Sequence, residues 1–294
     1  MMITFSLPES DSACRLFHGR GHAYPGYEFI NIDWYAPLVL ITLYDEMDVG
    51  ELAQLAARLK ADIPAARDVL VQYRCRPMAP LEALYGEIPD QMVAQEHGLN
   101  YQLSFGQFQN TGLFLDMANG RQWVQQHANG LRVLNLFAYT CGFSVAAIAG
   151  QADKVVNVDM SRRALTIGRE NHRLNQHDLA RVVFEGVDIF RSFGRLKKHG
   201  PYDLVVCDPP TFQKGSVGIR KDYPRLLRRL REMLAPSAQL LLCLNAPELG
   251  EAFLHHCVEQ ECPDWTFVER IATPSVFVEA TDTAGLKVLR YSCP

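Results

Sequence analysis

Residues 131–142 read LRVLNLFAYTCG, and residues 204–212 read LVVCDPPTF. Each stretch begins as a short apolar run, which is typical of a buried β-strand, and ends in a tight segment of small or polar residues. In open α/β sheets, nucleotide-like ligands bind where parallel strands end at their carboxyl termini. The two stretches therefore predict two strands of one parallel sheet whose ends contribute to one ligand site.

The chain around these two stretches alternates apolar runs with amphipathic segments. Such β-α repetition favours a mostly parallel, doubly wound sheet. Two last strands, at 265–270 and 286–291, have no obvious helix between them and indicate an antiparallel hairpin that closes the sheet. The remaining strands are predicted at 133–137, 154–158, 181–185, 204–207 and 239–244, and the helices at 119–128, 143–149, 161–174 and 222–234.

The first hundred residues have a different pattern. Two strands around a turn fit 32–44, helical spacing of apolar residues fits 49–59, and a strand fits 67–73. Turn-forming residues then precede an apolar run that begins at Tyr101. We therefore expect a small α/β domain over residues 1–100, with RNA or substrate binding as its candidate role, and a larger domain over residues 101–294.

The composition is that of an ordinary globular protein, with 48% hydrophobic and 21% charged residues in a chain of 294. The eight cysteines include no CxxC pair and no short-spaced Cys/His cluster, so no metal site is predicted. The N-terminus lacks the pattern of a signal peptide, and no apolar run is long enough to span a bilayer. We expect a cytoplasmic protein, either a monomer or a homodimer.

The turn from Ala138 to Gly142 is the first segment in which ligand chemistry can be argued. A dinucleotide site needs a G-x-G-x-x-G turn so that backbone amides can approach a pyrophosphate. Here Gly142 is the one glycine left, which argues against a dinucleotide. S-adenosylmethionine (SAM) has no phosphate, and its methionine moiety can pack on such a backbone. An ordinary strand-to-helix turn explains this segment equally well.

Two aspartates follow the next strands. Asp159 ends the run KVVNVD, where a carboxylate can accept both ribose hydroxyls, with Met160 beside the adenine. The alternative is that Asp159 helps Ser161 cap the next helix, and both roles can coexist. Asp188, in EGVDIF, is placed to accept the adenine amino group, with Ile189 and Phe190 against the ring. Taken alone, it would be an ordinary turn aspartate.

The segment DPPTF, Asp208 to Phe212, predicts a rigid turn at the end of a strand. Pro209 and Pro210 fix φ and remove two amide donors, which leaves carbonyl oxygens free to accept hydrogen bonds. Such a turn can hold an amino group or ring nitrogen of a flat acceptor beside the methyl donor, and Phe212 can stack on that acceptor. A purely structural X-Pro-Pro turn is the alternative.

Taken together, these motifs resemble class I SAM-dependent methyltransferases, and most closely the bacterial large-subunit (23S) ribosomal RNA methyltransferases. The family motif NLFAYTGGFS corresponds to Asn135–Ser144, with Cys141 in place of a glycine, TG-x-F-L-D to Thr111–Asp116, and DPP-x-F to Asp208–Phe212. Residues 26–87 resemble the central domain of that family. The resemblance implies a Rossmann-like domain with a seven-stranded sheet, preceded by a small α/β domain, with SAM as cofactor and ribosomal RNA as partner.

The resemblance and the arguments above give the expected site. In similar enzymes, an arginine near the position of Arg121 reaches the donor's carboxylate. Catalytic roles fall on Asp208, Pro209 and Phe212, and Phe212 and Asn245 are expected to contact the acceptor. The expected cofactor-binding residues are Arg121, Asn135, Phe137, Ala138, Tyr139, Gly142, Asp159, Met160, Ser161, Asp188, Ile189 and Asp208.

Two departures from the family bear on the substrate. The family often begins with an RNA-binding PUA module, for which these 294 residues have no room. Cytosine-5 methylation needs a cysteine thiolate that adds to the ring. Asn245 stands where that cysteine is usually supplied, Cys243 lies within the apolar strand, and Cys207 faces away from Asp208. We therefore favour direct transfer of the methyl group to a base nitrogen.

Basic residues concentrate after the DPP turn, although the net charge of the chain is −4. On the helix predicted at 222–234, Arg225, Arg228 and Arg229 lie opposite an apolar face and are candidates for contacts with RNA phosphates. A solvated helix face is the alternative.

Three other functions stay open at this point. They are cytosine-5 methylation of RNA, methylation of a protein or small molecule, and a SAM- or RNA-binding factor without catalysis. Cys141 in place of glycine and the missing RNA module favour the last of these. Asp159, Asp188 and the DPP turn argue against it.

Overall fold

A computed structural model describes residues 3–105, 110–210, 212–213, 217–281 and 283–294 of the chain. The chain forms two compact units, Met1–Asp116 with Pro274–Ala280, and Met117–Thr273 with Thr281–Pro294. The first unit thus extends beyond the boundary expected near residue 100. Its continuation is held by hydrogen bonds from Ser104 N to Thr111 O (2.9 Å) and between the Tyr35 and Thr111 hydroxyls (3.3 Å).

The first unit is a five-stranded sheet in the order β1-β2-β3-β4-β5 with one helix, α1, and a separate hairpin of β6 and β7. Asp48 caps α1 by accepting hydrogen bonds from the Gly50 and Glu51 amides. The predicted strand pair, helix and following strand are all present in this unit. The elements are β1 Cys14–His18, β2 Ile30–Tyr35, β3 Leu38–Leu43, α1 Val49–Asp62, β4 Asp68–Tyr73, β5 Leu81–Tyr85, β6 Met92–Glu96 and β7 Leu99–Leu103.

The second unit is built on a seven-stranded sheet in the order β10-β9-β8-β11-β14-β16-β15. Five neighbouring strands, β10, β9, β8, β11 and β14, run parallel to one another. The next strand, β16, lies between β14 and β15 and is antiparallel to both. The predicted fold class is confirmed, including the closing hairpin. The strands of this sheet are β8 Arg132–Leu136, β9 Lys154–Val158, β10 Val182–Glu185, β11 Tyr202–Cys207, β14 Leu234–Leu244, β15 Thr266–Arg270 and β16 Lys287–Ser292, and β12 Phe212–Gln213 pairs with β13 Val217–Gly218 in a separate two-stranded sheet.

The helices of the second unit follow the strands as the doubly wound pattern requires. Two of them, α5 and α7, are additions to the sequence prediction. Helix α5 buries Ile189, Phe193 and Leu196, whose spacing of four and three residues is helical. Among the described residues, no helix is long and apolar enough to cross a bilayer. The helices are α2 Ala118–His127, α3 Gly142–Ala149, α4 Arg162–Leu174, α5 Ile189–Lys197, α6 Ile219–Leu230 and α7 Glu251–Glu261.

A chain of buried polar side chains crosses the core beside β8, β9, α3 and α4. The Asn135 amide donates to Asn157 Oδ1 (2.9 Å), and the Asn157 amide donates to Ser144 Oγ (2.9 Å). Ser144 Oγ lies 2.9 Å from His172 Nε2, and His172 Nδ1 lies 3.0 Å from Nδ1 of His177. Ser144 Oγ accepts a hydrogen bond from the Asn157 amide, and its own hydroxyl hydrogen can be donated to Nε2 of a neutral His172.

Burial and the neighbouring His177 lower the pKa of His172 from 6.5 to about 3. Below pH 6.5 the unfolded chain therefore takes up a proton that the folded protein excludes, and stability falls with falling pH. Between pH 7.5 and pH 5 this effect costs about 2 kcal/mol of unfolding free energy.

We predict that urea unfolding at pH 7.5 and pH 5 will show a smaller loss of unfolding free energy for a His172→Gln variant than for the parent, by about 2 kcal/mol. Equal losses in parent and variant would show that His172 is not held neutral by the fold.

Candidate cofactor and acceptor site

The loop between β8 and α3 has an unusual backbone. Phe137, Tyr139 and Cys141 have φ angles of +56°, +46° and +62°, in the left-handed region that residues other than glycine rarely adopt. Hydrogen bonds from Ala138 N to Val158 O (3.0 Å) and from Cys141 N to Ala138 O (2.7 Å) hold this conformation. Such strain persists where the surrounding structure enforces it, and it concentrates at functional sites.

Asp159 joins this loop to the end of β9. Its Oδ2 accepts a hydrogen bond from Tyr139 N (2.8 Å), and its Oδ1 accepts one from Ser161 N (2.7 Å). A carboxylate offers about four lone-pair positions, so the two amides leave it able to accept two more hydrogen bonds. The partly buried carboxylate can therefore bind a pair of vicinal hydroxyls, as the ribose of SAM presents.

Of the two residues that follow Asp159, Ser161 caps a helix and Met160 is exposed. Ser161 Oγ caps α4 by accepting a hydrogen bond from Ala164 N (3.2 Å), so the capping alternative holds for that hydroxyl. Met160 is 47% exposed, which is high for a large apolar side chain and fits a residue that covers a flat ring. Contact of Met160 and Ser161 with the cofactor stays a prediction.

Asp188 lies at the end of the next strand and caps α5. Its Oδ1 accepts a hydrogen bond from Phe190 N (2.9 Å), and Arg191 lies 3.5 Å from its Oδ2. Ile189, directly after it, is buried. The capping contact occupies one oxygen and leaves lone pairs for the adenine amino group, which remains the predicted partner.

Two expected cofactor residues lie deeper in the unit. The Asn135 side chain is committed to Asn157 inside the core, so it positions β8, and its contact with the cofactor remains a prediction. Arg121, in α2, is only 4% exposed. Contact of its guanidinium with the donor's carboxylate stays a prediction.

The register of β11 places Asp208 beside the loop. Cys207 pairs with Leu136 of β8 on one side and with Leu242 of β14 on the other. Asp208 therefore lies level with Phe137, one strand spacing of about 4.8 Å away. Pro209 is buried and Pro210 is exposed. The side chain of Phe212 lies outside the described residues, so its stacking role stays a prediction.

The cysteines near this edge are unsuited to nucleophilic attack. Cys207 and Cys243 are both fully buried, and burial together with the charge of Asp208 raises the pKa of Cys207. Burial also raises the pKa of Cys141. Asn245, just beyond the end of β14, is exposed at the same edge as Asp208. Among the described residues, this arrangement offers an amide and a carboxylate to an acceptor and no accessible thiolate.

The arginines of α6 are partly engaged. Arg228 forms two hydrogen bonds with Glu261 (2.8 and 2.7 Å), and Arg229 forms one with Glu232 (2.6 Å). The guanidinium of Arg225 lies 5.2 Å from the centre of the Phe190 ring. These contacts agree with the alternative of a solvated face for Arg228 and Arg229, and RNA contact by the three arginines stays a prediction.

One feature of the loop was missed from sequence. A Cβ placed on Gly168 of α4 would lie 2.3 Å from Cys141 Sγ and 2.8 Å from Cys141 Cβ. The thiol that stands where the family has glycine is thus accommodated by a glycine on the facing helix. A glycine inside a helix costs stability and so indicates a packing reason, which was the available signal.

We predict that Gly168→Ala destabilises the protein by about 1–3 kcal/mol through overpacking against Cys141. In a Cys141→Gly background the same change should be neutral or stabilising, because alanine is the better helix former. Thermal and urea unfolding of the parent, the two single variants and the double variant gives the coupling free energy between the two positions. Additive effects of the two substitutions would contradict this packing.

Comparisons with known proteins agree with the geometry. A family model described as S-adenosylmethionine-dependent methyltransferase matches residues 14–292. Ribosomal RNA large subunit methyltransferase I of Aeromonas hydrophila is 33% identical over 208 residues, which cover 69% of this chain and 49% of the relative. The protein of the same name from Salmonella paratyphi B is 29% identical over 294 residues, 95% of this chain and 72% of the relative.

A solved structure gives the same result for the cofactor. SMU.776, crystallised with S-adenosylhomocysteine (SAH), the product that SAM leaves after transfer, superimposes with a TM-score of 0.86 at 27% identity, over 97% of this chain and 76% of that one. Since the family model spans residues 14–292, nearly the whole sequence, this chain belongs to the SAM-dependent methyltransferase family.

Proposed function

We propose that this enzyme transfers the methyl group of SAM directly to a nitrogen of a base in ribosomal RNA. The observation that carries the proposal is the edge formed by Asp208, Pro209 and Asn245, which offers hydrogen-bonding groups and places Cys207 and Cys243 in the core. The proposal also implies a protein that works in the cytoplasm, where ribosomal RNA is found.

Relatives support RNA as the acceptor. Both compared relatives are named for methylation of the large-subunit ribosomal RNA. This chain covers about half of one and nearly three quarters of the other, so the substrate is inferred by analogy with them. The Asp208–Pro209 turn itself fits a nucleobase, because a flat ring with amino groups pairs with acceptor-only partners.

The chain's own residues act mainly by positioning. SAM supplies an already activated methyl group, so alignment of donor and acceptor provides most of the rate enhancement. In this account Asp159 holds the ribose and Arg121 holds the carboxylate end of the donor. The Asp208 carboxylate and the Pro209 carbonyl accept hydrogen bonds from the base, which directs its nitrogen lone pair towards the methyl group. Asn245 contacts the base from the next strand.

We predict that Asp159→Asn weakens SAM binding roughly 10- to 100-fold, because a charge-assisted hydrogen bond to the ribose is lost. Isothermal titration calorimetry measures the change. Asp153→Asn is the matched control, since Asp153 is exposed just before the opposite end of β9. If both variants bound SAM as the parent does, Asp159 would not be the ribose ligand.

The acceptor is tested with radiolabelled SAM and ribosomal RNA from a strain that lacks the protein, followed by nucleoside identification. We expect one labelled nucleoside, methylated on nitrogen, and a loss of about 100-fold in rate for Asp208→Ala. Asp153→Asn again serves as the control.

Two results would contradict the proposal. If the label appeared in protein or small molecules and not in RNA, the acceptor would be a protein or a small molecule. A 5-methylcytidine product, with a covalent complex trapped on 5-fluorocytidine RNA, would replace direct transfer by a cysteine-dependent mechanism.

A further inference from the structure

A groove of about 490 Å³ runs along the open edge of the large sheet, between α4 and α5. Its floor is β10, which among the described strands pairs with β9 alone and so forms the edge of the sheet. Four arginines contribute to its walls, Arg162, Arg169 and Arg173 from α4 and Arg195 from α5. All four are exposed, so the groove presents guanidinium groups to solvent.

The positive charge of this groove is only partly neutralised. Arg173 forms an ion pair with Glu170, and Arg195 forms one with Glu185 (2.7 Å). Among the described residues, Arg162 and Arg169 form no ion pair. Residues 161–200 contain nine Lys and Arg against four Asp and Glu, in a chain whose net charge is −4. Positive charge is therefore concentrated at this edge of the sheet.

The two unpaired guanidinium groups are held in place by packing. Arg169 lies over the ring of Phe184 at 4.7 Å, which gives a flat surface of ring and guanidinium. The side chain of Arg162 crosses Gly186, where a Cβ would lie only 2.9 Å from Arg162 Cγ. The missing side chain of Gly186 thus makes room for Arg162. Guanidinium groups held in this way lose less entropy when they bind an anion.

The groove also opens towards the edge of the sheet that carries the cofactor site. Its floor residues Glu185, Gly186 and Val187 directly precede Asp188 at the carboxyl end of β10. In the sheet order, β10 is three strands from β11, so the groove lies about 14 Å from the Asp208 turn. A polynucleotide with one base at that turn is long enough to reach the groove.

We propose that this groove binds the phosphate backbone of the RNA substrate beside the nucleotide that is methylated. Arginine is the side chain best suited to phosphate, because its planar fork donates two parallel hydrogen bonds. This inference rests on the proposed function, since it takes the acceptor to be RNA. The inference adds a second RNA contact, at the groove beside α4 and β10, to the contact predicted for the arginines of α6.

The test is an Arg162→Gln/Arg169→Gln double variant, with RNA affinity measured by fluorescence anisotropy at several salt concentrations. Removing two phosphate contacts should weaken binding and make the plot of log affinity against log salt shallower by about 1.4 for single-stranded RNA. SAM affinity and melting temperature should stay at the parent values. The matched control is Arg67→Gln/Arg231→Gln, which removes two exposed arginines that are each paired with a carboxylate.

The possible results distinguish failure of the groove proposal from failure of the proposed RNA methylation. If the parent methylates RNA and the groove variant keeps the parent salt slope, or changes no more than the control, the groove is not a phosphate site and the proposed function stands. If the parent binds SAM but neither binds nor methylates RNA, both proposals fail together.

Discussion

The hydrogen bonds that the Asp159 carboxylate accepts from the amides of Tyr139 and Ser161 are the interaction on which the proposed cofactor site depends. It connects the end of β8, the end of β9 and the start of α4 in one small group of atoms. The loop from Phe137 to Cys141 adopts three left-handed conformations, which an unsupported chain would avoid. Because Asp159 accepts a hydrogen bond from the Tyr139 amide, the loop is held in one conformation at the proposed site.

The parallel register of β8, β11 and β14 determines which residues lie beside this loop. Since β11 pairs with both β8 and β14, Asp208 lies between the loop after β8 and Asn245 after β14. The same register keeps the thiols of Cys207 and Cys243 in the core. The chemistry inferred for the protein thus follows from which side chains the strand ends present. A carboxylate, a carbonyl and an amide can orient a nitrogen nucleophile, whereas a buried thiol cannot attack a pyrimidine.

The sequence predicted the large sheet well, because long β-α alternation and strand-end motifs depend on local patterns. Helix α5 was not predicted, because it has only nine residues and the helical spacing of Ile189, Phe193 and Leu196 therefore extends over little more than two turns. The return of Pro274–Ala280 to the first unit could not be predicted, because it depends on distant partners such as the hydrogen bond from Ala280 N to Gly21 O. The packing of Cys141 on Gly168, and the groove that joins Arg162 to Arg195, likewise bring together residues from different elements.

We propose that the strand ends of the second unit hold SAM by its ribose at Asp159 and present its reactive end to the Asp208 turn. The decisive experiment is a crystal structure of the protein with SAH. We expect both ribose hydroxyls to lie within about 3 Å of the Asp159 oxygens and the sulfur to face Asp208 and Pro209. A nucleoside bound elsewhere, with Asp159 in contact only with the amides of Tyr139 and Ser161, would contradict it.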